Sequence, residues 1–202
     1  MDNGIIIVSG LPRCGTSLMM QMLDKGGVPV VTDHIRTADR DNPRGYYEFE
    51  QVKRIKDDVS WLAEARGKAF KMVSQLLYEL PASERYRIIF MERDLEEMLV
   101  SQEKMLARLN KPSAPRAAIE RAFRKHLRNV RIWLAGQANI EVLSVNYNDL
   151  MERPEEQAER VSAFLGGHAN AGSMSKTVDP SLYRNRKTPI DRPSEPVAGG
   201  TA

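Results

Sequence analysis

GLPRCGTS, residues 10–17, follows the short apolar run of residues 5–9, IIIVS, and precedes a stretch with apolar residues at Leu18, Met19, Met22 and Leu23. The β-branched run predicts a strand, and the spacing behind it predicts a helix over residues 15–23, stopped by Gly26 and Gly27. A strand apolar on both faces suits the centre of a parallel sheet with helices on either side. Strand, glycine loop and helix also frame the phosphate-gripping P-loop: a Gly, four residues, a second Gly, then a lysine and a hydroxyl residue. Here Thr16 stands at the lysine position and Arg13 lies inside the loop. A glycine-bearing turn that opens a helix aims several backbone N–H groups at one point, where the helix dipole also favours negative charge. Arg13 adds a cation, and Thr16 and Ser17 add hydroxyl donors. The alternative is a plain strand-to-helix turn, but four anion-friendly features within eight residues favour a phosphate.

Farther along, residues 33–47 are polar and irregular, a length of loop that is uncommon unless it is functional or disordered. Residues 50–66 read as one amphipathic helix through Val52, Ile55, Val59 and Leu62. Residues 69–73 and 86–91 read as strands, 95–109 and 114–136 as helices, and 140–145 as a further strand. Two short helices follow, the second closed by Gly166. The helix at 114–136 carries Arg121, Arg124, Arg128 and Arg131 at helical spacing opposite its apolar stripe. This stripe could face a nucleotide, grip an acidic acceptor, or be the solvated side of an amphipathic helix. Strands alternating with helices predict a three-layer α/β fold, P-loop-like, with a mainly parallel central sheet. The expected division is one domain over residues 1–187 and a Pro/Gly/Ala tail, 188–202, with little to bury.

With 202 residues, 42% hydrophobic and 28% charged, the chain can bury one substantial core. A net charge of +3 is too small to imply a nucleic-acid partner. The single cysteine, Cys14, excludes an intrachain disulfide and points to a reducing compartment, read here as the cytoplasm. The N-terminal apolar run is too brief for a signal sequence or a membrane span.

A P-loop kinase needs the loop lysine on the β/γ-phosphates, a hydroxyl on Mg²⁺ and an acid at a neighbouring strand end. The lysine is missing, and Glu92, the acid at the end of the strand 86–91, is followed by Arg93, which would compete with a metal for its oxygens. The pattern predicts side-chain cations in place of a metal. Cys14 could be a thiolate nucleophile in such a loop; the cysteine-phosphatase pattern, however, wants an arginine six residues on, where Met20 stands.

Residues 5–23, IIIVSGLPRCGTSLMMQML, resemble the 5′-phosphosulfate loop of sulfotransferases, enzymes that use 3′-phosphoadenosine 5′-phosphosulfate without a metal. Residues 88–102, IIFMERDLEEMLVSQ, resemble the family's 3′-phosphate segment, an arginine at a strand end with a serine eight residues on. Residues 41–48, DNPRGYYE, and 145–166 are similar to two further segments of the family, the second its tyrosine-containing strand end and following helix. The resemblance implies that Arg13, Gly15, Thr16 and Ser17 hold the 5′-phosphosulfate and that Arg93 and Ser101 hold the 3′-phosphate. It implies a second cation at Lys71, for which the residue pattern alone equally allows an edge-strand lysine with its head in water. It also suggests that Arg186 and Lys187 close over the nucleotide. The base on the acceptor side falls to Glu48, beside Tyr46, Tyr47 and Phe49, whose rings would desolvate it; His34 comes second and Asp33 third. The acceptor is expected to be a hydroxyl rather than an amine. A nucleotide or sugar kinase with a degenerate loop and a non-catalytic nucleotide-binding protein are the alternatives.

Overall fold

The computed structural model describes residues 4–33, 35 and 45–183; His34, Arg186, Lys187 and the tail expected from residue 188 lie outside them. Four strands, β1 (Ile5–Gly10), β2 (Ala69–Val73), β3 (Tyr86–Glu92) and β4 (Ile140–Asn146), form an all-parallel sheet in the order β2-β1-β3-β4. The helices are α1 (Thr16–Lys25), α2 (Leu95–Arg108), α3 (Arg116–Ala135), α4 (Tyr147–Glu152), α5 (Pro154–Phe164) and α6 (Ala171–Ser175).

The period of two along each strand sorts the core into two layers. Ile5 and Ile7, Phe70 and Met72, and Ile88 and Phe90 point to the face covered by Val130 and Leu134 of α3. Val8, Ala69, Ile89, Met91 and Val145 point to the opposite face, against Met19, Met22 and Leu23 of α1 and Leu150, Val161 and Met174 of the C-terminal helices. Continuous apolar runs in β1 and β3 are what a strand buried on both faces requires. Because β1 has β2 on one side and β3 on the other, the chain reverses direction across the sheet at β1. Ligands of open α/β sheets bind outside the carboxyl ends of the strands at such a reversal, and both the loop after β1 and Arg93 after β3 lie there.

Helix ends follow local chemistry. Asp94 caps α2 by accepting from the Glu97 amide at 3.2 Å, with Glu96 and Glu97 in the first turn. Asn146 caps α4, and Pro154 opens α5.

The expected helix at 50–66 does not form. In its place stand two 3-10 turns, Glu50–Arg54 and Ser60–Ala65. The break lies at Asp58, whose carboxylate accepts from both the amide and the hydroxyl of Ser60 at 3.0 and 2.7 Å and so diverts the backbone from a helix. Val52, Ile55 and Leu62 still reach the core, but Val59 is exposed. Helix α6 had no counterpart in the sequence reading; Asn170 caps it.

Candidate anion-binding site

The loop between β1 and α1 depends on its two glycines. Gly15 is the N-cap residue of α1, with φ 95°. A Cβ there would stand 2.4 Å from the Tyr147 ring, so both the backbone angle and the neighbour exclude a side chain. At Gly10 a Cβ would meet the Cys14 sulfur and the Met91 carbonyl oxygen, each at 2.5 Å. Gly15 brings no side chain to cap α1, so its first-turn amides are open to an anion.

Arg13 has a positive φ, 69°. Its Nε donates to Ser101 Oγ at 3.2 Å, and its carbonyl accepts from Arg93 Nη1 at 3.2 Å. Arg13, Arg93 and Ser101 therefore meet, although the sequence reading assigned them to the two ends of a ligand. Arg93 stands just past β3, and Glu97 and Ser101 lie one turn apart on the buried side of α2. The Arg93 side chain is 7% exposed and pairs at 3.3 Å with Glu97, whose side chain is 4% exposed. Its guanidinium carbon lies 4.4 Å from the centre of the Tyr147 ring. Neither Glu92 nor Asp94 is its partner in this pair: Asp94 caps α2, and the Glu92 carboxylate is held by Arg131 at 2.8 Å. Arg124 of the basic stripe pairs with Glu120 at 2.8 Å, so two of the four stripe arginines serve ion pairs on or near their own helix. A cavity of about 400 Å³ adjoins Arg93, walled in part by Leu11, Cys14, Met91, Leu127 and Arg131.

A second cluster forms beside the start of α1. Phe70 and Met72 point to the α3 face, so Lys71 between them points to the α1 face, with its side chain 14% exposed. Its Nζ donates to Ser17 Oγ at 3.3 Å and to the Tyr46 carbonyl, and it lies 3.7 Å from the Glu48 carboxylate. Lys71 is thus turned to the loop, not to water, despite its place on an outer strand. Ser17 Oγ also donates to the Tyr46 carbonyl at 3.2 Å. The Glu48 carbonyl accepts from the Asp33 amide and the Thr32 hydroxyl, which fixes this segment beside residues 32–33.

Of the three rings expected around Glu48, Tyr46 lies 5.8 Å from the Lys71 ammonium that pairs with Glu48, and the other two are engaged elsewhere. Phe49 packs edge-on against Trp61 at 5.3 Å, and the Tyr47 hydroxyl donates to Asp24 at 2.9 Å. The positive φ of Tyr47, 51°, turns successive rings apart. Lys71 is a charged neighbour of Glu48, at 3.7 Å. Asp33 accepts from the Ile35 and Glu50 amides at 3.0 and 2.6 Å, the contacts of a turn-forming residue.

Cys14 is buried, and burial pushes its thiol up to about 12. The thiolate is therefore scarce at pH 8. Alkylation of the folded protein by iodoacetamide at pH 8 is expected to be negligible over hours and prompt in 6 M guanidinium; mass spectrometry reads both. Rapid labelling of the native protein would overturn the placement of Cys14. Among the described residues no three His, Cys, Asp or Glu side chains gather as metal ligands, and no helix is long and apolar enough to cross a membrane.

A family model described as the sulfotransferase domain matches residues 3–189. Among solved structures, mouse sulfotransferase SULT7A1 complexed with PAP is similar with a TM-score of 0.55 and 19% identity, over 88% of this chain and 63% of that one. The sulfotransferase domain from the curacin biosynthetic pathway is similar with a TM-score of 0.52 and 14% identity, over 89% of each chain. The chain thus spans less than two thirds of the mouse protein's length. At these identities the likeness is one of fold. None of the curated proteins matches the sequence.

Proposed function

The chain belongs to the sulfotransferase family, and from that premise we propose that it moves a sulfuryl group from 3′-phosphoadenosine 5′-phosphosulfate to a hydroxyl acceptor by in-line displacement, without a metal. The observation that carries the reading is the pair of cationic clusters at the two sides of one glycine loop, Arg13 with Arg93 and Ser101, and Lys71 with Ser17. A donor with anionic groups at both its 5′ and 3′ positions needs two such grips, and a neutral or singly charged nucleotide would use one. The residues present fit it: a helix start behind a side-chain-free Gly15, hydroxyls at Thr16 and Ser17, and a guanidinium fork at Arg93.

When bound, this donor supplies the activated sulfuryl group. Gly15, Thr16 and Ser17 hold the 5′ end through amides and hydroxyls; Arg93 and Ser101 hold the 3′-phosphate. Arg13, which touches Ser101 from inside the loop, joins the two ends. Negative charge builds on the departing oxygen in such a transfer, and fixed cations in a water-poor site stabilise it. Lys71 and Arg13 supply that charge; a guanidinium keeps its proton too firmly to act as an acid, so Arg13 works electrostatically. Glu48 accepts the acceptor's proton, a role supported by its distance of 3.7 Å from the Lys71 ammonium. His34 is the alternative base. Arg186 and Lys187 are proposed to complete the nucleotide site, within one domain of residues 1–187 acting in the cytoplasm.

Thermal unfolding with adenosine 3′,5′-bisphosphate, adenosine 5′-monophosphate and Mg·ATP tests this. A ligand at a hundred times its Kd stabilises by about 2.7 kcal/mol, on the order of 5–10 °C for a domain of this size. The bisphosphate is expected to give that shift, the other two far less. Equal shifts with Mg·ATP would favour a kinase, and no shift with the bisphosphate would remove the reading.

A further inference from the structure

Arg93 is held by Glu97, and Glu97 in turn by a residue outside every motif that identifies the site, Tyr183. Its Nε and Nη2 both donate to a single oxygen, Glu97 Oε2, at 3.4 and 3.3 Å. Two long bonds to one oxygen fix the plane of a guanidinium less firmly than a bidentate fork does. The carboxylate itself must therefore be held. Asn148 Nδ2 donates to Glu97 Oε2 at 3.1 Å and also to the Tyr183 hydroxyl, which lies 2.9 and 3.0 Å from the two oxygens of Glu97. Asn148 is fixed in turn by its Oδ1, which accepts from the Asp94 amide at 3.3 Å. The Tyr183 ring stands edge-on to Tyr147 at 5.6 Å, and the Arg93 guanidinium lies 4.4 Å from the Tyr147 ring and 5.8 Å from the Tyr183 ring.

We propose that Tyr183 is a positioning residue of the 3′-phosphate subsite: with Asn148 it fixes the Glu97 carboxylate, and Glu97 sets the plane in which Arg93 presents its N–H groups to the phosphate. This rests on the reading of Arg93 given above. Phosphate recognition by arginine depends on that plane, because the guanidinium donors are rigid and coplanar. Burial, then the hydrogen bond to Glu97, push the Tyr183 hydroxyl up to about 12, so it keeps its proton and donates across the physiological range. Tyr183 lies 86 positions beyond Glu97, just after the turn Pro180–Leu182, and so ties the C-terminal part of the chain to the strand end that carries Arg93.

Calorimetric titration with adenosine 3′,5′-bisphosphate and with adenosine 5′-monophosphate separates positioning from bulk stability, since the two ligands differ only in the 3′-phosphate. For Tyr183→Phe the preference for the bisphosphate is expected to fall about tenfold, with monophosphate affinity unchanged. Asn148→Ala, which removes the other donor to Glu97, is expected to move the preference in the same direction. Tyr86→Phe is the control: it deletes a hydroxyl bonded to the Pro81 carbonyl at 3.1 Å and should shift the unfolding midpoint with no change in preference. A wild-type preference retained in both Tyr183→Phe and Asn148→Ala, or an equal loss for both ligands, would overturn the proposal. A wild-type protein with no preference for the bisphosphate would remove the parent reading, and this one with it.

Discussion

Replacing Arg93 with alanine is expected to lower the stability of the fold by about 3–5 kcal/mol, seen as a drop of about 2 M in the urea midpoint. The cause is the partner left behind. Glu97 has a side chain only 4% exposed, and its neighbours Tyr183 and Asn148 are neutral. Without the guanidinium it would be a buried carboxylate that has lost the countercharge 3.3 Å away, and the desolvation that charge offset outweighs what neutral donors return. Arg93→Met combined with Glu97→Leu should recover most of the loss, because the pair removed together leaves no orphan charge. Recovery should stop short of complete, since Tyr183 and Asn148 lose their shared acceptor. A single-variant loss below about 1 kcal/mol would mean that Glu97 reaches water in solution. Arg93→Ala mixes a folding defect with a binding defect; Arg93→Lys keeps the charge beside Glu97 and removes the planar fork, so it isolates recognition.

The residues that make the site divide by how they are written in the chain. Gly10, Gly15, Arg13, Thr16 and Ser17 are legible because a strand, a turn and a helix start are consecutive and each has its own local chemistry. Arg93 and Ser101 are marked by the resemblance of residues 88–102 to the family's 3′-phosphate segment, and the fold accounts for their spacing: Arg93 follows a strand, Asp94 caps the next helix, and Ser101 sits on that helix's buried side. Glu97 lies between them, and nothing local marks it as the countercharge. Its other partners, Asn148 and Tyr183, are 51 and 86 positions away and come together only through the order of the strands and the return of the C-terminal segment. The apolar spacing of residues 50–66 named most of the buried residues correctly and the secondary structure wrongly, because the Asp58 carboxylate competes for the Ser60 amide where a helix would need it. Around Glu48 the aromatic identities were legible but their directions were not, since the positive φ at Tyr47 has no signature in a residue type that seldom adopts it.

Lys71 tests the chemistry as Arg93 tests the grip. Lys71→Met, which keeps the aliphatic stem and removes the charge, is expected to reduce turnover of the sulfate donor by about 10²–10³-fold while bisphosphate affinity changes by less than about threefold. The asymmetry follows from position. The ammonium stands against Ser17 and Glu48, on the opposite side of the loop from Arg93, and the function proposed above gives it the charge that develops during transfer rather than the 3′-phosphate. Lys71 also donates to the Tyr46 carbonyl, and losing that bond costs about 1–3 kcal/mol of local stability, which is the competing account of any activity loss. The two accounts separate on temperature and on Lys71→Arg. If the lysine only anchors residues 45–48, arginine should restore turnover along with the melting point, and cooling should rescue Lys71→Met. If the ammonium acts in the transfer, arginine should restore the melting point and leave turnover well below wild type, because a guanidinium in place of a compact, proton-donating ammonium keeps the charge but neither its reach nor its acidity. Turnover of Lys71→Met within tenfold of wild type, measured as bisphosphate released against a panel of hydroxyl acceptors, would confine Lys71 to holding Tyr46 and Ser17 in place.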